Sequence, residues 1–71
     1  MNYPNLKTPV AILNAALKKE NTARDFYATL AARCRQDFVR DLLYRLQNEE
    51  EKHATLIRNM LARVAAGRDA I

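Results

Sequence analysis

The sequence predicts an all-α protein, a two-helix antiparallel hairpin that pairs with a second copy to make a four-helix bundle. Three observations carry that expectation. The 71 residues are 49% hydrophobic and rich in Ala, Leu, Arg and Glu, with one Gly, two Pro and no Trp, a helix-forming composition without strand signals. Apolar residues recur at three-and-four spacing through both halves, the pattern of one buried helical face. Between the halves, at Arg35-Gln36-Asp37, that phase resets. A chain this short has little interior as a lone hairpin, so self-association is expected.

The elements follow in order within one domain, residues 1–71. Residues 1–8 carry Asn2, Pro4 and Asn5 without a period and read as an irregular lead-in. Thr8-Pro9 then gives a start signal. A threonine hydroxyl can accept from a free helix N–H, and proline at the first helical position gives up a donor that had no partner. Helix 1 is expected over residues 9–33, with Leu13, Ala16, Leu17, Glu20, Ala23, Tyr27, Leu30, Ala31 and Cys34 inward, and Ile12, Phe26 and Leu30 as a second apolar edge. Asp37 is the expected N-cap of helix 2, which should run over residues 37–66 with Val39, Leu42, Leu43, Leu46, Ile57, Met60, Leu61 and Val64 inward. Gly67 supplies the expected stop, leaving 67–71 as a loose tail.

Composition also excludes functions. The net charge of +4, from twelve Lys and Arg against eight Asp and Glu, is spread along the chain. It forms no basic stripe with interleaved aromatics, so nucleic acid is not an expected partner. No apolar run approaches spanning length, so neither is a membrane. The start Met1-Asn2-Tyr3-Pro4 lacks the charged and hydrophobic regions of a signal peptide, and the single Cys34 can form no internal disulfide. A cytoplasmic location is expected.

The chemistry lies where the apolar pattern of helix 2 is broken. Carrying its inward stripe across the gap between Leu46 and Ile57 lands on Glu50 and His53, neighbours three apart on one helix face. Glu20 interrupts the stripe of helix 1 in the same way. Glu20 lies about fifteen residues before the turn and Glu50 about fifteen after it, each roughly 22 Å away at 1.5 Å per residue. Antiparallel helices therefore bring both to one level, with His53 beside them. A carboxylate in an apolar seam is normally protonated, paired or bound to a metal. Of the flanking carboxylates, Glu51 is expected on the outer face, and Glu49, four residues before His53, is a candidate secondary metal ligand. Arg24, one turn after Glu20, is expected to snorkel or to form a salt bridge.

One hairpin supplies three ligands; two copies supply four glutamates and two histidines, every helix of a four-helix bundle contributing. That ligand set matches ferritin-like dinuclear carboxylate proteins. Glu20, Phe26-Tyr27 and Glu50-Glu51-Lys52-His53 resemble half of a ferritin or rubrerythrin bundle, most closely the two-helix encapsulated ferritins, over roughly residues 11–64. The resemblance implies a ferroxidase that oxidises Fe(II) to Fe(III) with dioxygen at a di-iron site between subunits, for iron storage or detoxification. Glu20, Glu50 and His53 would be the catalytic metal ligands, with Tyr27 beside the metals. It further implies a homodimer or larger ring and an encapsulin shell as partner and compartment, although the further helix and C-terminal targeting peptide of such cargo do not follow Val64. Nor does the chain carry the four cysteines of a rubredoxin-like centre. The same donors suit Mn or Zn. The competing expectation is a non-enzymatic helical-hairpin oligomer that uses the polar triple for pairing specificity or for a structural metal.

Overall fold

The computed structural model describes residues 6–70, which form two α-helices joined as a hairpin: α1, Pro9–Arg33, and α2, Asp37–Ala70. The lead-in at residues 1–5 and the last residue of the expected tail lie outside the described residues. At the start of α1 the Thr8 hydroxyl accepts a hydrogen bond from the Ala11 N–H at 3.1 Å, and Pro9 occupies the first turn. The helix ends as Cys34 turns extended (φ −91°, ψ 126°) and its N–H bonds the Ala31 carbonyl at 3.2 Å.

The connection differs in detail from the expectation. Gln36, not Asp37, supplies the carbonyl that accepts the first bond of α2, from the Arg40 N–H at 2.9 Å. Asp37 sits inside the first turn, where its negative charge faces the positive end of the helix dipole. There it pairs with Arg40 at 2.7 Å. Arg40 also donates to the Cys34 carbonyl at 3.3 Å, tying the connection to α2.

The far end of α2 is also corrected. Gly67 does not stop the helix at Ala66; α2 continues through it to Ala70. A glycine ends a helix by adopting positive φ, and none does so here. Residues 67–70, expected to be loose, are the last turn of a 34-residue helix.

The seam between the helices is narrow. Among the described residues only Ala31 and Ala54 are buried, at 1% and 0% exposure, and no large side chain is fully buried. Val39, Leu43, Leu46, Ile57, Leu61 and Val64 of α2 are half-buried, but Leu42 and Met60, expected inward, are exposed. The cause is helical phase. Two helices in contact cover a strip narrower than the apolar stripe of α2, and Leu42 and Met60 lie on the flank of that strip. Continuing the turn of each helix at 3.6 residues per turn places Ile12 and Phe26 of α1 on the same side of the hairpin as Phe38, Leu42, Leu56 and Met60 of α2. All six are exposed. The hairpin thus has one broad apolar face and, on the reverse, a polar one carrying Arg24, Glu51 and Arg58.

Candidate metal centre

The fourth turn of α1 and the fourth and fifth of α2 meet at the middle of the seam. There the side chain that fills the gap between the helices is Ala54, whose small size lets longer neighbours converge around it. Glu20 points into the seam from α1, and Glu50 and His53 from α2. One ligand atom from each lies within 4.8 Å of the others. His53 Nδ1 is 3.6 Å from Glu20 Oε2 and 3.8 Å from Glu50 Oε1, too long for direct hydrogen bonds. Metal–oxygen and metal–nitrogen bonds of about 2.1 Å place two donors on one ion up to about 4.2 Å apart. The two His53 separations fall inside that limit, so an ion between the three requires only side-chain adjustment.

Burial is graded across the triple. Glu20 and Glu50 retain 20% and 21% of their side-chain exposure, whereas His53 retains 49%. His53 lies at the edge of the broad apolar face, so the centre is closed by the seam on one side and open toward that face. Glu20 Oε2 is buried without a hydrogen-bond partner, a costly state for a carboxylate oxygen unless a proton or cation satisfies it. Hydrogen bonding with Glu20 raises the Glu50 pKa above the ordinary value, helped by burial and by the Glu20 charge, while His53 and Lys19 oppose the shift. Two carboxylates that close to one another cannot both ionise freely. Hard oxygen donors with one imidazole suit iron. The residues present therefore fit a metal ion, on the observation of that orphaned oxygen and this donor set.

The remaining sequence candidates fall around the triple. Tyr27 is half-buried on the seam side of α1, its ring 5.7 Å from that of Phe26. Glu49 is exposed and paired with Lys52 at 3.2 Å, outside the cluster. Glu51 lies on the polar reverse face, half-exposed, but it is not a free solvated charge. It accepts from Arg24 across the seam at 2.6 Å and from Arg58 at 2.7 Å, and these two guanidiniums hold its pKa below the usual carboxylate range. Sequence reasoning missed this engagement of Glu51, and missed Ala54. The signal for both was available: Ala54 follows Glu50 by one turn, and the matched depth that aligns Glu20 with Glu50 also brings Arg24 near Glu51.

Compared with known families, residues 11–71 match the family model for rubrerythrin. The chain belongs to the rubrerythrin family. No curated protein and no solved structure matches it. Membership bears out the ferritin-like resemblance carried by Glu20 and Glu50-Glu51-Lys52-His53, and with it the iron-binding character of a rubrerythrin di-iron domain. Among the described residues, no helix is long and apolar enough to cross a membrane.

Proposed function

We propose that this rubrerythrin-family chain is a ferroxidase half-site: two copies pair through their broad apolar faces and together hold two iron ions between Glu20, Glu50 and His53 of each. The observation that supports it best is the convergence of those three ligand atoms around an orphaned carboxylate oxygen. Glu20, Glu50 and His53 would hold iron there, and iron would supply one-electron chemistry toward dioxygen. The chain's own residues prepare the place. Glu20 and Glu50 supply two carboxylate charges from facing helices. Those charges offset the cation and favour the higher oxidation state. His53 offers a ring nitrogen on the open side, and the small Ala54 leaves room between the helices at this level. Tyr27, two helical turns and about 10 Å of rise beyond Glu20 on α1, supplies a phenol on the seam side. The same donor set accepts manganese or zinc, so iron is assigned by family and not by geometry.

The test is Fe(II) oxidation followed by the rise in near-ultraviolet absorbance on admitting oxygen. Glu50→Ala and His53→Ala should each abolish the rise while leaving helical circular dichroism near that of the parent, because these residues contribute ligands and little buried apolar area. Either variant oxidising Fe(II) at the parent rate would show that the centre lies elsewhere.

A further inference from the structure

We infer that Arg24 is a positioning residue. Its ion pair with Glu51 fixes the axial register of α1 on α2 and so holds Glu20 opposite Glu50 and His53. The inference deepens the ferroxidase reading and rests on it for its metal-binding consequence.

The observation is a second polar cluster on the reverse side of the seam from His53. Arg24 Nη1 donates to Glu51 Oε1 at 2.6 Å, and its Nε donates to Asp25 Oδ1 at 3.2 Å. The other Glu51 oxygen accepts from Arg58 at 2.7 Å and from Thr55 at 3.4 Å. Arg24 is one helical turn beyond Glu20, and Glu51 directly follows Glu50. The clasp and the centre are therefore built from adjacent positions of the same two helices. Among the described residues, the Arg24–Glu51 contact is the only ion pair joining α1 to α2 besides the Glu20–His53 approach.

Register needs such a device at this level. Apolar packing fixes how two helices slide when large side chains interlock. Here the one fully buried side chain is Ala54, flanked by Glu20, Glu50 and His53, and the leucines and isoleucine above and below it are only half-buried. An alanine offers little resistance to sliding, and Glu20 and Glu50 repel once ionised. A one-residue slip moves a helix by about 1.5 Å, enough to take Glu20 out of reach of a shared ion. A charged and directional contact from Arg24, with Glu51 held from behind by Arg58 and Thr55, resists that slip on the side opposite the opening. Arginine suits the role because its planar fork fixes direction as well as charge.

Two readouts test the inference. In the metal-free chain with Cys34→Ala, spin labels at Lys18→Cys and Lys52→Cys, both exposed positions, report the register as an interhelix distance distribution. Labelled chain is diluted with unlabelled chain so that only intrachain pairs are read. Arg24→Ala should broaden or displace the distribution while helical content is retained; an unchanged distribution overturns the inference. The second readout is Co(II) binding followed by its ligand-field absorbance. Arg24→Ala and Glu51→Ala should each weaken Co(II) binding by about tenfold or more, as loss of a residue that orients ligands does. The double variant should be no weaker than either single one. Unchanged affinity in Arg24→Ala, or losses that multiply in the double variant, would show that Arg24 does not act through Glu51. A parent that binds no Co(II), or binds it equally well as Glu50→Ala, refutes the metal reading instead, and the distance distribution still decides the role of Arg24.

Discussion

At the scale of residues, the centre is a place where the chain gives up stability for chemistry, and pH makes that visible. Glu50 has a raised pKa in the folded chain, chiefly through its hydrogen bond with Glu20. Its favourable contribution is complete below the ordinary carboxyl value of 4.5 and is lost as pH rises through the folded value. Glu51 has the opposite sign: held down by Arg24 and Arg58, it stabilises above 4.5, and that contribution is lost as pH falls through its lowered folded value. In metal-free protein at pH 7, Glu50→Gln should therefore melt above the parent, and the difference should shrink on acidification toward pH 4. Glu51→Gln should melt below the parent at pH 7 and converge with it in stronger acid. Thermal melts in chelator across that range check both signs; a parent that outlasts Glu50→Gln at pH 7 would contradict the raised Glu50 pKa. The triple itself was legible because each member breaks an apolar stripe and matched depth brings them together. Glu51 was not. The apolar stripe of α2 spans both the seam and the open face, so its centre lies between them. Reading that centre as the contact drew Leu42 and Met60 inward and left Glu51 among the solvated charges.

At the scale of elements, the two ends of the helices were unequally readable. Thr8-Pro9 carries its cap in its own chemistry, a hydroxyl for an N–H and a ring where no donor is required. Gly67 is ambiguous by nature, since glycine permits a stop without enforcing one. A Cβ at position 67 would meet nothing within 4 Å, and the backbone there has negative φ. Gly67→Ala should therefore stabilise the last turns of α2, by up to about 1 kcal/mol, the difference between glycine and alanine in a helix. Increased helicity by circular dichroism is the expected result. A decrease would mean that the glycine serves a bend or a close contact absent from the hairpin. The connection was readable as a polar break. The chemistry of its residues left open whether the Asp37 carboxylate caps the helix or joins its first turn, and the pairing with Arg40 decides it.

At the scale of the whole molecule, the hairpin is a slab of 53 × 28 × 12 Å, too thin to enclose a core. A fully buried leucine or isoleucine contributes about 1.5–3 kcal/mol, and among the described residues none is fully buried. With Ile12, Phe26, Phe38, Leu42, Leu56 and Met60 exposed on one face, the proposed pairing predicts that helicity is lost as the protein is diluted, read by circular dichroism alongside sedimentation. A well-folded monomer at micromolar concentration would contradict it. Redox-inert Zn(II) should tighten the pair by mass action and should fail to do so in Glu20→Ala; light scattering separates the two outcomes. The half-exposed imidazole of His53 carries this into kinetics. If every productive centre needs two chains, then below the pairing constant the oxidation rate falls with the square of protein concentration. The catalyst would then be governed by its own abundance: scarce chains stay idle, and turnover rises steeply once synthesis outpaces dissociation.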